Sequence, residues 1–153
     1  MKHFFSVVLI AVMLFAVLPM RGFAVADVQT DEEIIHLDDG SYIVVELIWA
    51  DARASGTRTA VKTHKYYNND NVEQWRAVLQ GTFTYTGTSA TCTAASCNVT
   101  ISDDAWYVHA KGVNKSGNAA MCELTMGKKL LGVTVSKKTI SMSLTCDANG
   151  NLS

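Results

Sequence analysis

After its first 26 residues this chain reads as all-β: an antiparallel two-sheet sandwich, with a small β-barrel as the alternative. Three observations predict it. Nearly every segment alternates apolar and polar residues with period two, the mark of a strand with one buried face. The alternating stretches are short and are parted by Gly, Asn, Asp and Ser turns. No segment after Ala26 repeats its apolar residues at the 3.6-residue helical spacing. Seven or eight short strands in about 120 residues fit two packed antiparallel sheets.

Residues Met1–Ala26 read as a cleavable signal peptide. Lys2 and His3 give a basic start, and Phe4–Leu18 is apolar throughout except for Ser6. Fifteen residues fall short of the ~20 that cross a bilayer. Pro19 and Gly22 break the run, and Ala24-Val25-Ala26 places small residues where a signal peptidase reads them. Cleavage between Ala26 and Asp27 is expected to release residues 27–153 as a single secreted β domain. That domain has no transmembrane segment and lies outside the cell, free or held at the cell surface.

Glu33–Leu37 and Ser41–Trp49 flank Asp38-Asp39-Gly40, a hairpin turn. Asp51–Gly56 reads as a loop, Thr57–Tyr67 as a strand, and Asn68-Asn69-Asp70-Asn71 as a turn. Trp75, Ala77, Leu79, Gly81, Phe83 and Tyr85 share one strand face, and Gln74, Arg76, Val78, Gln80, Thr82 and Thr84 the other. Gly81 is expected to bend this strand so that it passes from one sheet to the other. Thr91–Ser96 reads as a turn with Cys92 at the preceding strand end. Cys97, Val99 and Ile101 then form an inward face, as do Trp106, Val108 and Ala110 after the turn at Ser102-Asp103-Asp104. Beyond the turn at Lys115-Ser116-Gly117-Asn118 comes a long hairpin. Ala120, Cys122, Leu124 and Met126 point inward on one arm, and Ile140, Met142, Leu144 and Cys146 on the other. Val133 and Val135 fall on the opposite parity, which predicts bulges near Gly127 and Ser136.

Four cysteines in an exported chain predict two disulfides. Cys97, Cys122 and Cys146 fall on inward faces, which favours Cys97–Cys122 with Cys92–Cys146. The rival set, Cys92–Cys97 with Cys122–Cys146, stays open at this stage.

Charge is unevenly spread. Residues 27–110 carry five bases and twelve acids, whereas 111–153 carry six lysines and two acids. A net charge of −3 after cleavage argues against a nucleic-acid binder, which shows a strongly basic domain. His36, His64 and His109 stand apart, with no metal-ligand spacing. His36 with Asp38 gives too few ligands for a metal, and Glu46 with Asp51 is a carboxylate pair that nothing places in a cleft. No G-x-S-x-G elbow or phosphate-binding glycine loop occurs. The sequence implies no cofactor, no metal and no catalytic residue. Asn98-Val99-Thr100 and Asn114-Lys115-Ser116 match the glycosylation sequon without further support.

One constellation points to binding. Lys128, Lys129, Lys137 and Lys138 lie almost symmetrically about Gly132-Val133, so a hairpin turning there is expected to set the lysine pairs face to face. They would then form an anion-binding tip for teichoic acids, anionic lipid headgroups or an acidic protein. The competing explanation is protection of a sheet edge together with solubility. A variant is self-association, the acidic N-terminal segment of one copy meeting the lysine hairpin of another.

The run Leu37-Asp38-Asp39-Gly40-Ser41-Tyr42-Ile43-Val44, then Tyr66-Tyr67-Asn68, Trp75, Gly81-Thr82-Phe83-Thr84-Tyr85-Thr86-Gly87, Thr91-Cys92-Thr93, Trp106, Lys115-Ser116-Gly117-Asn118 and the ending Leu144–Ser153 resembles a group of small secreted proteins from Gram-positive, clostridia-like bacteria. The resemblance implies compartment and fold but no catalytic residues. Cys92 and Cys146 fall in its most characteristic parts, which favours pairing them. The function expected from all this is non-enzymatic binding, outside the cell or at its envelope. A secreted antagonist of bacteriocin or toxin type is the second reading, and a small hydrolase without a recognisable motif the third.

Overall fold

The computed structural model describes residues 28–50 and 56–153. The expected signal peptide, its Ala26–Asp27 junction and Asp51 lie outside them. The described chain forms eight strands and no helix: β1 (Val28–His36), β2 (Tyr42–Ala50), β3 (Gly56–Tyr67), β4 (Glu73–Tyr85), β5 (Ala90–Ile101), β6 (Trp106–Ser116), β7 (Ala119–Leu130) and β8 (Val133–Thr145). The first five make one antiparallel sheet and the last three a second, each ordered as in the chain. Neither closes into a barrel, so the sandwich is the architecture.

The alternation is used as expected on the facing layers. Trp75, Ala77, Leu79 and Phe83 of β4 meet Ala120, Cys122, Leu124 and Met126 of β7 and Met142 and Leu144 of β8, all buried. Burying apolar area at about 25 cal/mol per Å² is what holds the layers together. β7 lies over β4 and β5, and β8 over β3 and β4, which leaves β1 at the far edge of the first sheet. Every residue of β1 is accordingly exposed. Its Asp31, Glu32 and Glu33 blunt an edge that would otherwise invite further strands.

Three expectations need correction. β4 does not change sheets at Gly81; it pairs with β3 and β5 along its length. The glycine is there for space, since a Cβ would stand 2.7 Å from the Phe83 ring and 3.1 Å from the Ala120 Cβ. Thr91–Ser96 is not a turn but the middle of β5. Phe83 pairs with Cys92 and Thr82 with Ala94, leaving Thr93 as a bulge. The bulge resets parity, so Cys92 and Cys97 both face inward although they stand five positions apart. Five residues of extended strand span about 16 Å. That is far beyond the ~7 Å Cα limit of a disulfide, so the Cys92–Cys97 pairing is excluded. In β6, Trp106 is buried, but Val108 and Ala110 are exposed, and the register slips between them.

The flanks are closed by lysines. Lys111 Nζ donates to the Cys97 carbonyl at 3.1 Å, and Lys115 Nζ donates to the Thr93 carbonyl, joining β6 to the outer edge of β5. On the opposite flank Lys62 Nζ donates to the Ser143 carbonyl of β8 at 2.9 Å. These contacts account for three of the lysines without any ligand.

Candidate functional site

The β7–β8 hairpin carries the four lysines singled out above. Its strands pair out to Leu130 opposite Val133, so the turn is Leu131-Gly132, with φ of 52° and 80°. Two positive φ values suit the right-handed twist of a hairpin, and Asn-Gly is the preferred filling. Leucine in this left-handed conformation costs about 1–2 kcal/mol.

No lysine faces another lysine. Lys128 stands opposite Ser136, Lys129 opposite Thr134, Lys137 opposite Gly127 and Lys138 opposite Met126. Val135 is the extra residue at a bulge, and it shifts the register that sequence symmetry suggested. The face-to-face lysine pairs expected from the sequence are therefore not formed, and with them goes the repulsion that like charges directly opposite would cause. Lys128 and Lys138 take the inward face. Lys128 Nζ lies 5.7 Å from the centre of the Trp106 ring, and Lys138 Nζ 5.8 Å from that of Tyr66. Lys129 and Lys137 take the outward face, Lys129 over the Tyr107 ring at 4.5 Å and Lys137 with its Nζ 2.9 Å from His109 Nε2.

The inward pair borders an open cleft of about 210 Å³ at the end of the sandwich. An aromatic cluster forms its floor. Tyr66 stacks on Trp75 at 5.2 Å, and Trp106 meets Tyr66 edge-on at 5.3 Å. Trp106 is fixed by its Nε1, which donates to Gln74 Oε1 at 3.2 Å. Gln74 was expected among the outward residues of its strand. Where the register slips between Tyr66 and Tyr67, it turns inward and is buried.

Asp39 forms the cleft wall. Its Oδ2 accepts from Lys138 Nζ at 2.6 Å, and its Oδ1 accepts from the Ser41 backbone N–H at 3.1 Å and from the Ser41 hydroxyl. The bonds from Lys138 and then Ser41 hold its carboxyl well below the usual range. Among the described residues, Lys128, Lys129 and Lys137 form no salt bridge.

The other candidates do not gather into a site. Glu46 is bound by Lys65 across β2 and β3. His36 is exposed beside Tyr42. His64 is buried, its Nδ1 has no partner, and burial lowers its pKa to about 4, Lys62 adding to the effect. Among the described residues no three of His, Cys, Asp and Glu converge as metal ligands. No helix there is long and apolar enough to cross a membrane.

The cysteines sort into two neighbourhoods. Cys97 and Cys122 approach across the sheets with their sulfurs 2.6 Å apart, as thiols. Burial, and then the Cys122 thiol, pushes Cys97 upward. Cys92 N–H donates to the Gly117 carbonyl at 2.8 Å and Cys146 N–H to that of Asn118 at 3.1 Å, so both dock on the same β6–β7 turn.

Sequence reasoning overlooked the hairpin's apolar end. Leu130, Leu131, Val133 and Val135 are 63, 97, 66 and 55 % exposed. The signal is the run Leu-Leu-Gly-Val between the lysine pairs, which alternation alone registers only as a change of parity. Comparison with protein-family models, curated proteins and solved structures finds no match to this chain.

Proposed function

We propose that the domain is exported and acts as a non-enzymatic binding protein at the cell envelope, holding anionic partners through the β7–β8 hairpin. The supporting observation is the placement of Lys128, Lys129 and Lys137 near the end of one hairpin with no carboxylate partner among the described residues. The fourth lysine, Lys138, is held by Asp39. Charges of one sign grouped at a protruding end raise the local potential even on a mildly acidic domain, because exposed charges act over about 8 Å at physiological ionic strength. Two disulfides, Cys97–Cys122 between the sheets and Cys92–Cys146 at the β6–β7 turn, complete this reading of a secreted module.

The test is binding of the purified 27–153 domain to producer and competitor cell envelopes, with and without added salt. Binding is expected to fall steeply with salt, and to be lost when Lys128, Lys129, Lys137 and Lys138 are all replaced by glutamine. Equal binding by that variant would leave edge protection as the lysines' whole role.

A further inference from the structure

We infer that the end of the β7–β8 hairpin inserts into the surface of an anionic lipid bilayer, a statement that rests on the envelope-binding reading above and names its partner. Leu130, Leu131, Val133 and Val135 would enter the acyl boundary while the lysines meet the phosphates.

Three features of the hairpin converge on this. First, four large aliphatic side chains stand together on one protruding end, each more than half exposed. Single exposed apolar residues are ordinary, whereas a contiguous apolar patch rimmed by polar groups marks a contact surface. Second, Leu131 occupies a left-handed backbone position that favours Asn or Gly, and its side chain touches almost nothing. A leucine that gains neither conformation nor burial within the chain gains burial outside it.

Third, the lysines lie on both faces of the hairpin: Lys128 and Lys138 inward, Lys129 and Lys137 outward. A linear polyanion lying along one face reaches only half of them. A headgroup layer penetrated end-on surrounds the stalk and reaches the lysines of both faces, Lys128 on one and Lys129 and Lys137 on the other, since lysine stems extend to place their ammonium groups at an interface. The dimensions agree. β6 joins the sheet only from the Trp106–Lys128 rung, so the end of the hairpin projects as two strands. Leu131 lies three residues beyond Lys128, about 10 Å at strand spacing. Interfacial elements bury their apolar face about 5–10 Å deep.

The experiment is co-sedimentation of the 27–153 domain with vesicles of phosphatidylglycerol and phosphatidylcholine in equal parts, with pure phosphatidylcholine vesicles and soluble polyphosphate as further arms. The parent is expected to bind the anionic vesicles and not the neutral ones. Leu131→Asn, which suits the turn and so spares the fold, should weaken vesicle binding by about tenfold, roughly the worth of one buried leucine side chain. It should leave polyphosphate binding unchanged. Leu131→Trp should shift its emission to the blue on anionic vesicles and be quenched by brominated lipid. Parent that ignores anionic vesicles, or Leu131→Asn that binds them as the parent does, overturns the insertion. If polyphosphate and envelopes are still bound in those cases, the broader reading survives. If the parent binds neither polyphosphate nor envelopes, that reading falls as well.

Discussion

Lys138 Nζ lies 2.6 Å from Asp39 Oδ2, fastening β8 to the β1–β2 turn across 99 positions of sequence. The carboxylate belongs to the acidic half of the chain and the ammonium to the basic half, so the contact withholds one cation from the hairpin. Asp39→Asn should release it. The expected outcome is tighter binding to anionic vesicles at low salt, with a steeper salt dependence than the parent, read by co-sedimentation across a salt series. Unchanged binding would show that Lys138 takes no part.

His64 should make the domain acid-sensitive before its carboxylates do. Its pKa is about 4 in the fold against 6.5 when unfolded, because burial disfavours the imidazolium. Between those values the unfolded chain binds the extra proton, so stability is full above pH 6.5 and falls as pH drops towards 4. The slope is at most about 1.4 kcal/mol per pH unit. Urea unfolding at several pH values should show this decline, and His64→Gln should flatten it. Asp39 and Asp147, whose pKa values are lowered by hydrogen bonds, act only below that window.

Non-reducing peptide mapping of the 27–153 domain after air oxidation should join Cys97 to Cys122 and Cys92 to Cys146. The first link closes a shorter loop than the second, and by chain entropy it is worth about 3.5 kcal/mol. Reduction should therefore lower the melting temperature. Before oxidation the thiols should alkylate slowly under native conditions, since burial pushes those of Cys92, Cys97 and Cys146 upward. Fast alkylation of folded protein would contradict their burial.

Gly81→Ala should destabilise the domain by about 1–3 kcal/mol in urea, as overpacking does. The new methyl would press on Phe83, whose ring is fully buried and has no room to swing away. A neutral result would mean that β4 and β7 can separate slightly at no cost.

The quadruple glutamine variant should lose a little thermal stability rather than gain any. Facing lysines would have made the change favourable. Instead it removes the Asp39 ion pair and three cation–π contacts.

Period-two patterning was sufficient for fold class, for most strand limits and for the inward faces of β4, β7 and β8, because each of those strands buries one face. Errors collected where a bulge resets parity. Thr93 interrupts the alternation of β5, so that Thr91–Ser96 reads as a turn, and Val135 makes the lysines look paired. Neither bulge has a local signature, since each depends on which residue the neighbouring strand offers. Gln74 and Trp106 illustrate a second gap. Their hydrogen bond joins the end of one sheet to the start of the other, a distance alternation does not measure. The apolar hairpin end was visible as residues, yet only solvent exposure distinguishes it from another core segment.

The order of strands in the two sheets also sets a schedule. Each strand pairs only with its neighbours in the chain, so the five-stranded layer can assemble from local hairpins as soon as it is made. Local contacts of this kind favour fast pairing. Its inner face, with Trp75, Leu79 and Phe83, nevertheless stays bare until β6, β7 and β8 arrive. A chain interrupted after β5 would present an open apolar sheet, the kind of surface that aggregates. A factor that shields the first layer during synthesis would then raise yield more than any change that strengthens the finished fold.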